Sequence, residues 1–531
     1  MSLARASLEV GAAAGGSRVL GFARDLLIAR ALGAGPAADA LLAALRLPSA
    51  LRRILTEGGF EAGFVPLYAA ARAEGGDAAA RRFARAGLAG LALALAGMSA
   101  LVMLGAGAVV LAVASGFMEA PGTLHLATAL TRLAAPVILG LGLAACLGAW
   151  LNAEGRVRPA ALAPLAVNVL LVLTLLGLTG SDTPPDDQAR AIALAFSVGG
   201  FVQLALVGIA ARDLLRAARP SWSEQGRALA LLVRRGVPAM LASGAAQLML
   251  VAATQVASFT PSGVALLSYA DRVFQLPLGL VAAGAGAVLL PALVGASDHR
   301  AARDALNRAV EGALLLSLPA AAGLAALSLP ITRFLFERGA FTAQDSAGTA
   351  AALLGLSLGL PFAALGKVLA PAALERGTVG FAVTAGGIGI AVTLAAGAVL
   401  GDAFGLLGLG LGVSAGLTAH AATLAGALLA SGRWRPDRRL VGRGIRIAGA
   451  ALPLLLLHRV APEGGAALIG TVILGALAYA GLALIVGAVT RDDLARLRPA
   501  ASAPDLAPLP SALASRGRAF MKARRCSPRS S

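Results

Sequence analysis

AFGLLGLGLGVSAGLTAHAATLAGALLASG, the stretch from Ala403 to Gly432, runs for thirty residues without an Asp, Glu, Lys or Arg. About 20 apolar residues carry a helix across the hydrocarbon core of a bilayer, and inside lipid only a helix or a closed barrel satisfies its own backbone. Residues 86–118, 377–401 and 464–490 are equally free of charge. The same character extends through the 531-residue chain, which is 58% hydrophobic and 14% charged, with a mean hydropathy of +0.80. A soluble chain carries roughly 25% charged residues, and one this long splits into domains joined by polar linkers. No such linker appears here. Gly408, Gly410 and Gly412 follow no strand, so they read as close helix packing and not as a dinucleotide loop. The chain reads as an all-α, polytopic membrane protein.

Charge-free length, bounded by Gly, Pro and Arg clusters, predicts fourteen transmembrane helices. Their cores lie near 7–31, 39–69, 86–114, 124–152, 159–179, 189–211, 234–257, 263–295, 308–328, 346–374, 378–400, 403–430, 444–461 and 465–489. The eighth and tenth are long enough to tilt, or to kink near Pro277 or Pro371. With the N-terminus in the cytoplasm, 22 arginines fall in inside loops and only Arg132, Arg190, Arg333, Arg338 and Arg459 fall outside. Inside loops of membrane proteins accumulate Lys and Arg, so both termini are expected in the cytoplasm. The net charge of +18 then reports topology and excludes nucleic acid as a partner.

The first apolar stretch, interrupted by Arg18, Arg24 and Asp25, is unlike a cleaved signal. Cys146 and Cys526 are not placed to pair, and the four histidines show no metal-ligand spacing. Residues 491–531 are rich in Pro, Ala, Ser and Arg without apolar periodicity. They read as a disordered basic cytoplasmic tail drawn to the membrane surface by about 1 kcal/mol per basic residue.

An internal repeat is visible at an offset of 225. Pro36, Pro66 and Pro136 recur as Pro261, Pro291 and Pro361, and Ala40-Leu41-Leu42 recurs as Ala265-Leu266-Leu267. A shift of six helices preserves orientation, which makes the units parallel repeats about the membrane normal. The expected organisation is one six-helix lobe over 1–215, a second pseudo-symmetric lobe over 226–432, and two added helices over 440–490.

Helices 1 and 2 break the apolar pattern. Arg18, Arg24, Asp25, Arg30, Asp39, Arg46, Arg52, Arg53 and Glu57 all fall within 18–57. A charge at the bilayer centre costs about 2.5–3.5 kcal/mol on insertion scales, so such residues face a partner or a wet cavity. Seven-residue spacing returns to one helical face, which groups Ser17 with Arg24, Arg18 with Asp25, and Asp39 with Arg46 and Arg53. Helix 8 adds Asp271 and Arg272, and helix 10 adds Lys367. Two readings stand side by side: the groups pair internally to hold helices together, or the surplus guanidinium charge receives a buried anion such as a pyrophosphate. Asn152 and Asn168 read as interhelical hydrogen-bonding residues. No Ser/His/Asp set, carboxylate pair or Walker loop sits in a suitable context, so the chain reads as a transporter and not an enzyme, without cofactor or metal.

Ser17-Arg-Val-Leu-Gly-Phe-Ala-Arg-Asp25, Asp39, Leu47-Pro48, Leu51-Arg-Arg53, Glu57-Gly58 and Phe64-Val-Pro66 resemble the MurJ (MviN) lipid II flippase family. The resemblance continues through Leu151-Asn-Ala153, Asn168, Tyr269-Ala-Asp-Arg272, Leu276-Pro277, Phe336-Glu-Arg-Gly339 and Lys367-Val-Leu369. It implies a relative of the multidrug/oligosaccharidyl-lipid/polysaccharide exporters, with two six-helix lobes around a cavity and two extra helices forming a lipid groove. The implied substrate is the undecaprenyl-pyrophosphate-linked disaccharide-pentapeptide, lipid II, moved across the bacterial inner membrane by alternating access. Membrane lipids and the cell-wall synthesis machinery are the other partners it implies.

By matching motifs, Arg18, Arg24, Arg52 and Arg272 would hold the pyrophosphate, and Ser17, Asp25, Asp39, Glu57, Asp271 and Lys367 would gate or pair. Gln275, Ala253-Thr254 and Glu375-Arg-Gly-Thr stand where some relatives carry acids of a sodium site, which argues against sodium coupling. The rival readings are a flippase for another polyprenyl-linked glycan and a drug/cation antiporter of the same fold. The antiporter reading predicts an acidic cavity instead of an arginine-rich one.

Overall fold

The computed structural model describes residues 3–54, 60–180, 182–216, 220–294, 299–375, 379–460 and 464–489. Those residues form helices and connecting turns, with no strand among them. In chain order the helices are α1 Leu3–Leu32, α2 Pro36–Ile54, α3 Phe60–Leu104, α4 Ala106–Val113, α5 Pro121–Ala134, α6 Val137–Ala153, α7 Val157–Leu178, α8 Pro185–Ala210 and α9 Trp222–Ala257. They continue as α10 Gly263–Val294, α11 His299–Ala326, α12 Ser328–Phe336, α13 Ala343–Ser357, α14 Leu360–Glu375, α15 Val379–Ala430, α16 Arg438–Ala451 and α17 Gly465–Ile485. A 3₁₀ segment, Leu452–Val460, prolongs α16.

Nine described helical runs are long and apolar enough to cross a membrane, or ten if the bent pair α13–α14 is one span. Two of the nine are double lengths. Non-helical backbone breaks α3 at Gly75 and Gly76, and α15 at Gly405, whose φ of 57° lies in the left-handed region that glycine enters without a Cβ penalty. Residues 39–69, expected as one helix, fall on α2 and the start of α3 on either side of the undescribed 55–59.

The expected kink in the tenth span lies at Leu358–Gly359 and not at Pro371: α13 and α14 meet there at 49°. Pro361 supplies no N–H to the Ser357 carbonyl, and the Ser414 hydroxyl donates to the carbonyls of Gly355 (2.7 Å) and Leu356 (3.2 Å) in the last turn of α13. A Cβ on Gly359 would lie 2.6 Å from that hydroxyl. Pro136 lies between α5 and α6, and Pro361 is the second residue of α14, just past the bend from α13.

Helix starts follow local chemistry. Ser221 with Glu224 caps α9 and Thr342 with Asp345 caps α13 as reciprocal capping boxes, and Asp437 accepts from the Leu440 N–H at the start of α16. The main apolar core joins α1, α2, α5, α7 and α8 to α9, α10, α13 and α15. The glycines of the opening stretch allow that closeness: a Cβ on Gly410 would lie 2.4 Å from the Ala352 carbonyl oxygen. A second core forms among α10, α11, α14, α15 and α16, and a smaller one fixes α17 to α11 and α16.

Candidate functional site

The charged faces of α1 and α10 meet. Asp25 lies between two guanidinium groups: Arg24 donates from Nε and Nη2 to Oδ1 at 2.9 and 2.7 Å, and Arg272 Nε lies 2.9 Å from Oδ2. Side-chain exposure is 12% for Arg24, 9% for Asp25 and 22% for Arg272. Seven residues along each helix, Arg18 Nη1 lies 3.8 Å from where a Cβ on Gly279 would stand, so a glycine of α10 faces an arginine of α1. Residues 18 and 25 share one face, as do 272 and 279, and the two faces run antiparallel. Three guanidinium groups therefore line this seam around one carboxylate.

The seam is tied to α7 by one amide. Asn168 Oδ1 accepts from Arg24 Nη1 at 3.2 Å, while its Nδ2 donates to the Ser17 carbonyl at 3.1 Å and to the Ser17 hydroxyl at 3.3 Å. This matches the interhelical role read for Asn168 and gives Ser17 and Arg24 a common anchor. Arg24 thereby uses Nε, Nη1 and Nη2 on Asp25 and Asn168, which holds its fork in place and leaves two of its five N–H groups without a bond described here.

Asp39 lies apart from the seam. Its Oδ1 accepts from the Ala265 N–H at 2.7 Å, so it caps the first turn of α10 from another helix, where unpaired backbone donors favour an anion. Further along the same pair of helices, Arg46 Nη2 donates to the Ser268 hydroxyl at 2.7 Å. Asp271 is 2% exposed and accepts from the Gln275 side chain, so the glutamine standing in place of an acid serves that carboxylate. Thr254 donates to Leu250 of its own helix at 2.8 Å. Lys367 is half-buried on α14. The Arg52 side chain and Glu57 lie outside the described residues. No three His, Cys, Asp or Glu side chains come together among the described residues, so the donor set of this site is guanidinium and amide, suited to an oxyanion.

Beyond Asp25, α1 ends in a neutral clasp. The Arg30 carbonyl accepts from the Ala340 N–H at 2.9 Å, and the Gly33 carbonyl accepts from the Tyr269 hydroxyl at 2.9 Å. Gly33 (φ 62°) and Gly339 (φ 65°) take left-handed backbone, and a Cβ on either would come within 2.5 Å of a carbonyl oxygen across the contact. The Phe336-Glu-Arg-Gly339 motif thus closes this end, with Phe336 and Phe341 packed on Tyr269 at 5.5 and 5.4 Å.

One charged cluster was not apparent from sequence. Glu311 on α11 lies 2.9 Å from Arg443 and 3.4 Å from Arg439 of α16. The signal was present as a lone acid within an apolar run, opposite two arginines four residues apart.

The profile of the family described as Lipid II flippase MurJ matches residues 28–456. A "Probable lipid II flippase MurJ" of Rhizobium meliloti (strain 1021) is 34% identical over 458 residues, 85% of each chain. One of Rhizobium tropici is 35% identical over 383 residues, 71% of each chain. The "Lipid II flippase MurJ" of Burkholderia cenocepacia is 32% identical over 467 residues, 86% of this chain and 90% of that one. Among solved structures, "Lipid II flippase MurJ, inward closed conformation" superposes with a TM-score of 0.75 at 22% identity, over 90% of this chain and 98% of the other. An inward-facing MATE family transporter of the MOP superfamily superposes at 0.63, with 16% identity, over 78% and 95%.

Proposed function

The chain belongs to the MurJ lipid II flippase family, and from that premise we propose how its own residues carry lipid II. The protein is a multi-pass membrane transporter, and its cargo is the undecaprenyl-pyrophosphate-linked peptidoglycan precursor, moved from the cytoplasmic to the outer leaflet of the bacterial inner membrane. Fourteen spans with both termini inside form two six-helix lobes, 1–215 and 226–432, with two further helices over 440–490.

The observation that carries the mechanism is Asp25 shared by Arg24 and Arg272, one from each proposed lobe. The carboxylate stands in for the substrate's anion. A pyrophosphate entering between α1 and α10 offers more acceptor oxygens than Asp25, in planar sets that fit the guanidinium fork. Arg24 and Arg272 exchange Asp25 for the phosphates, and Arg18 and Arg52 complete the grip. Breaking a buried ion pair without replacement costs about 3–5 kcal/mol, so the exchange proceeds only when substrate supplies the new partner. Bound substrate then bridges the lobes, and their relative rotation carries it across. Asp39, as a cap on α10, together with Ser17, Glu57, Asp271 and Lys367, gates or pairs around this clamp.

The test is rescue of a strain depleted of its own lipid II flippase. The wild-type chain restores growth and cell-wall integrity. An Asp25→Asn variant binds substrate without needing the exchange and loses the coupling of binding to closure, so it captures lipid II yet rescues poorly. Failure of the wild-type chain to rescue at normal membrane abundance contradicts the assignment.

A further inference from the structure

His420 is a buried titratable side chain that the transport reading leaves unused. His420 lies on the second half of α15, 6% exposed, in the interior of the bundle. Its ring occupies space made by two missing side chains. A Cβ on Gly366 of α14 would stand 3.2 Å from His420 Cδ2, and a Cβ on Gly389 of the first half of α15 would stand 3.1 Å from His420 Cβ. Met249 of α9 closes the pocket beside Gly389, with Cε and Sδ each 2.9 Å from that same Cβ position. Helices from three parts of the chain thus shape a slot around one imidazole, and within it Nδ1 is buried with no hydrogen-bond partner among the described residues.

A neutral imidazole has one donor nitrogen and one acceptor nitrogen, and a buried polar atom without a partner is unusual enough to demand an account. The neighbouring hydroxyls cannot serve. Thr393 donates to the Gly389 carbonyl, and Ser414 to those of Gly355 and Leu356. The charged group closest in sequence to the slot is Lys367, next to Gly366, a cation that opposes a second positive charge. On α15 itself Asp402 is exposed, and on α9 the described Arg234 is fifteen residues from Met249, about 22 Å along the helix. The slot therefore offers a protonated ring no counter-charge in this arrangement of helices.

We propose that His420 is a proton-binding site that couples proton movement to the conformational cycle, an inference that rests on the transport reading above. A proton from water adds to the Nδ1 lone pair, converting imidazole to imidazolium, and is returned to water on the other side; no other bond changes. The arrangement described here suits the neutral ring, since the slot holds no counter-charge for an imidazolium. Protonation requires α9, α14 and α15 to separate so that the new N–H and its charge meet water, and so it selects the alternative packing of these helices. Each transfer moves one positive charge, which makes the cycle responsive to membrane potential as well as to pH.

Two measurements on the full-length protein test this. The first follows hydrogen–deuterium exchange at the ring C2 position of each histidine by mass spectrometry from roughly pH 5 to 8, the range in which a histidine switches. His420 should show a titrating profile, slower than that of the exposed His458. The second follows translocation of a fluorescent lipid II analogue in proteoliposomes with the potential clamped at zero. A one-unit pH gradient should change the wild-type rate by up to about tenfold, the limit for one proton per cycle. In His420→Gln, and in His420→Asn should the first fail to accumulate, the ratio of rates with and without the gradient should fall to one.

A flat exchange profile overturns the proposal, and so does a gradient ratio in the variants equal to that of wild type. Absence of any translocation by wild type would instead count against the transport reading, while the exchange profile still decides whether His420 takes up a proton.

Discussion

Two arginine–carboxylate–arginine triads lie among the described residues, and they differ in what surrounds them. In the first, Asp25 is held by Arg24 and Arg272 across the seam of α1 and α10. In the second, Glu311 is held by Arg443 and Arg439 across α11 and α16. Each has one carboxylate for two guanidinium groups.

The second is boxed in by neutral bonds. Trp434 Nε1 donates to Asn307 Oδ1 at 2.7 Å, Asn307 donates to the Arg435 carbonyl at 3.2 Å, and Arg303 donates to the Gly432 carbonyl at 2.6 Å. The chain linking α15 to α16 is therefore stitched to α11 just ahead of the ion pair, through Arg303 and Asn307. The first triad has a third guanidinium, Arg18, on the same seam and a glycine opposite it. An intramembrane charge is thus not a functional site by chemistry alone. On the proposed reading it becomes one where surplus guanidinium charge lines a seam between helices, as at α1 and α10.

Substitution should separate the two. Arg24→Ala and Arg272→Ala each remove a charge-assisted contact worth about 2–5 kcal/mol to a buried anion, a loss in lipid II translocation of about thirtyfold or more, with the protein still inserted. Arg24→Lys keeps the charge but loses the planar fork, and should also be impaired. Reduced abundance, restored by adding Asp25→Asn, would instead make the first triad a structural pair like the second.

At the second triad the outcome should reverse. Arg443→Ala strands Glu311 and costs about 3–5 kcal/mol, seen as lower accumulation and a lower melting temperature, and Glu311→Gln in the same chain should recover most of it. Translocation per molecule should stay near wild type. A stable but inactive Arg443→Ala protein would erase the distinction.

Much of this was legible in the residues and some was not. Charge-free runs and loop arginines carry the all-helical membrane fold because lipid enforces them over long stretches of sequence. Seven-residue spacing placed Arg18 and Asp25 on one face, and the structure brings that face to Arg272. The bend at Leu358–Gly359 carried a local mark, Pro361 just past it, which supplies no N–H to the Ser357 carbonyl, whereas Pro371 is accommodated within α14. What the sequence hid is the Ser414 hydroxyl, 55 residues beyond Gly359, that bonds the carbonyls at the end of α13. Glu311 was hidden for a similar reason. Its partners lie on α16, whose arginines look like ordinary inside-loop charges until α16 packs against α11. Local pattern reports periodicity and boundaries, whereas pairings between distant helices need the packing itself.

Smaller effects sharpen the contrast further. With Gln275 committed to Asp271 and Thr254 to its own helix, replacing sodium by choline at constant potential should change translocation by less than about twofold. A large loss would show a cation site elsewhere. At the exposed turn after α8, Arg156 grips Asp213 with two bonds of 2.8 and 2.6 Å and holds its carboxyl down at about 2. A depressed carboxyl stabilises the fold above its ordinary range and loses that contribution as pH falls toward the depressed value. Asp213→Asn should therefore lower the melting temperature slightly at neutral pH and make no difference near pH 2, as paired melts would show. Because both groups are well exposed, the effect should be the smallest of these.

The central claim is that arginines on the α1–α10 seam, together with Arg52, grip a pyrophosphate. Photo-crosslinking of lipid II to a chain carrying Arg18→Ala, Arg24→Ala, Arg52→Ala and Arg272→Ala, at membrane abundance matched to wild type, tests it most directly. The account predicts that capture falls to background while the protein remains folded and inserted. Capture equal to wild type by that stable quadruple variant would contradict it.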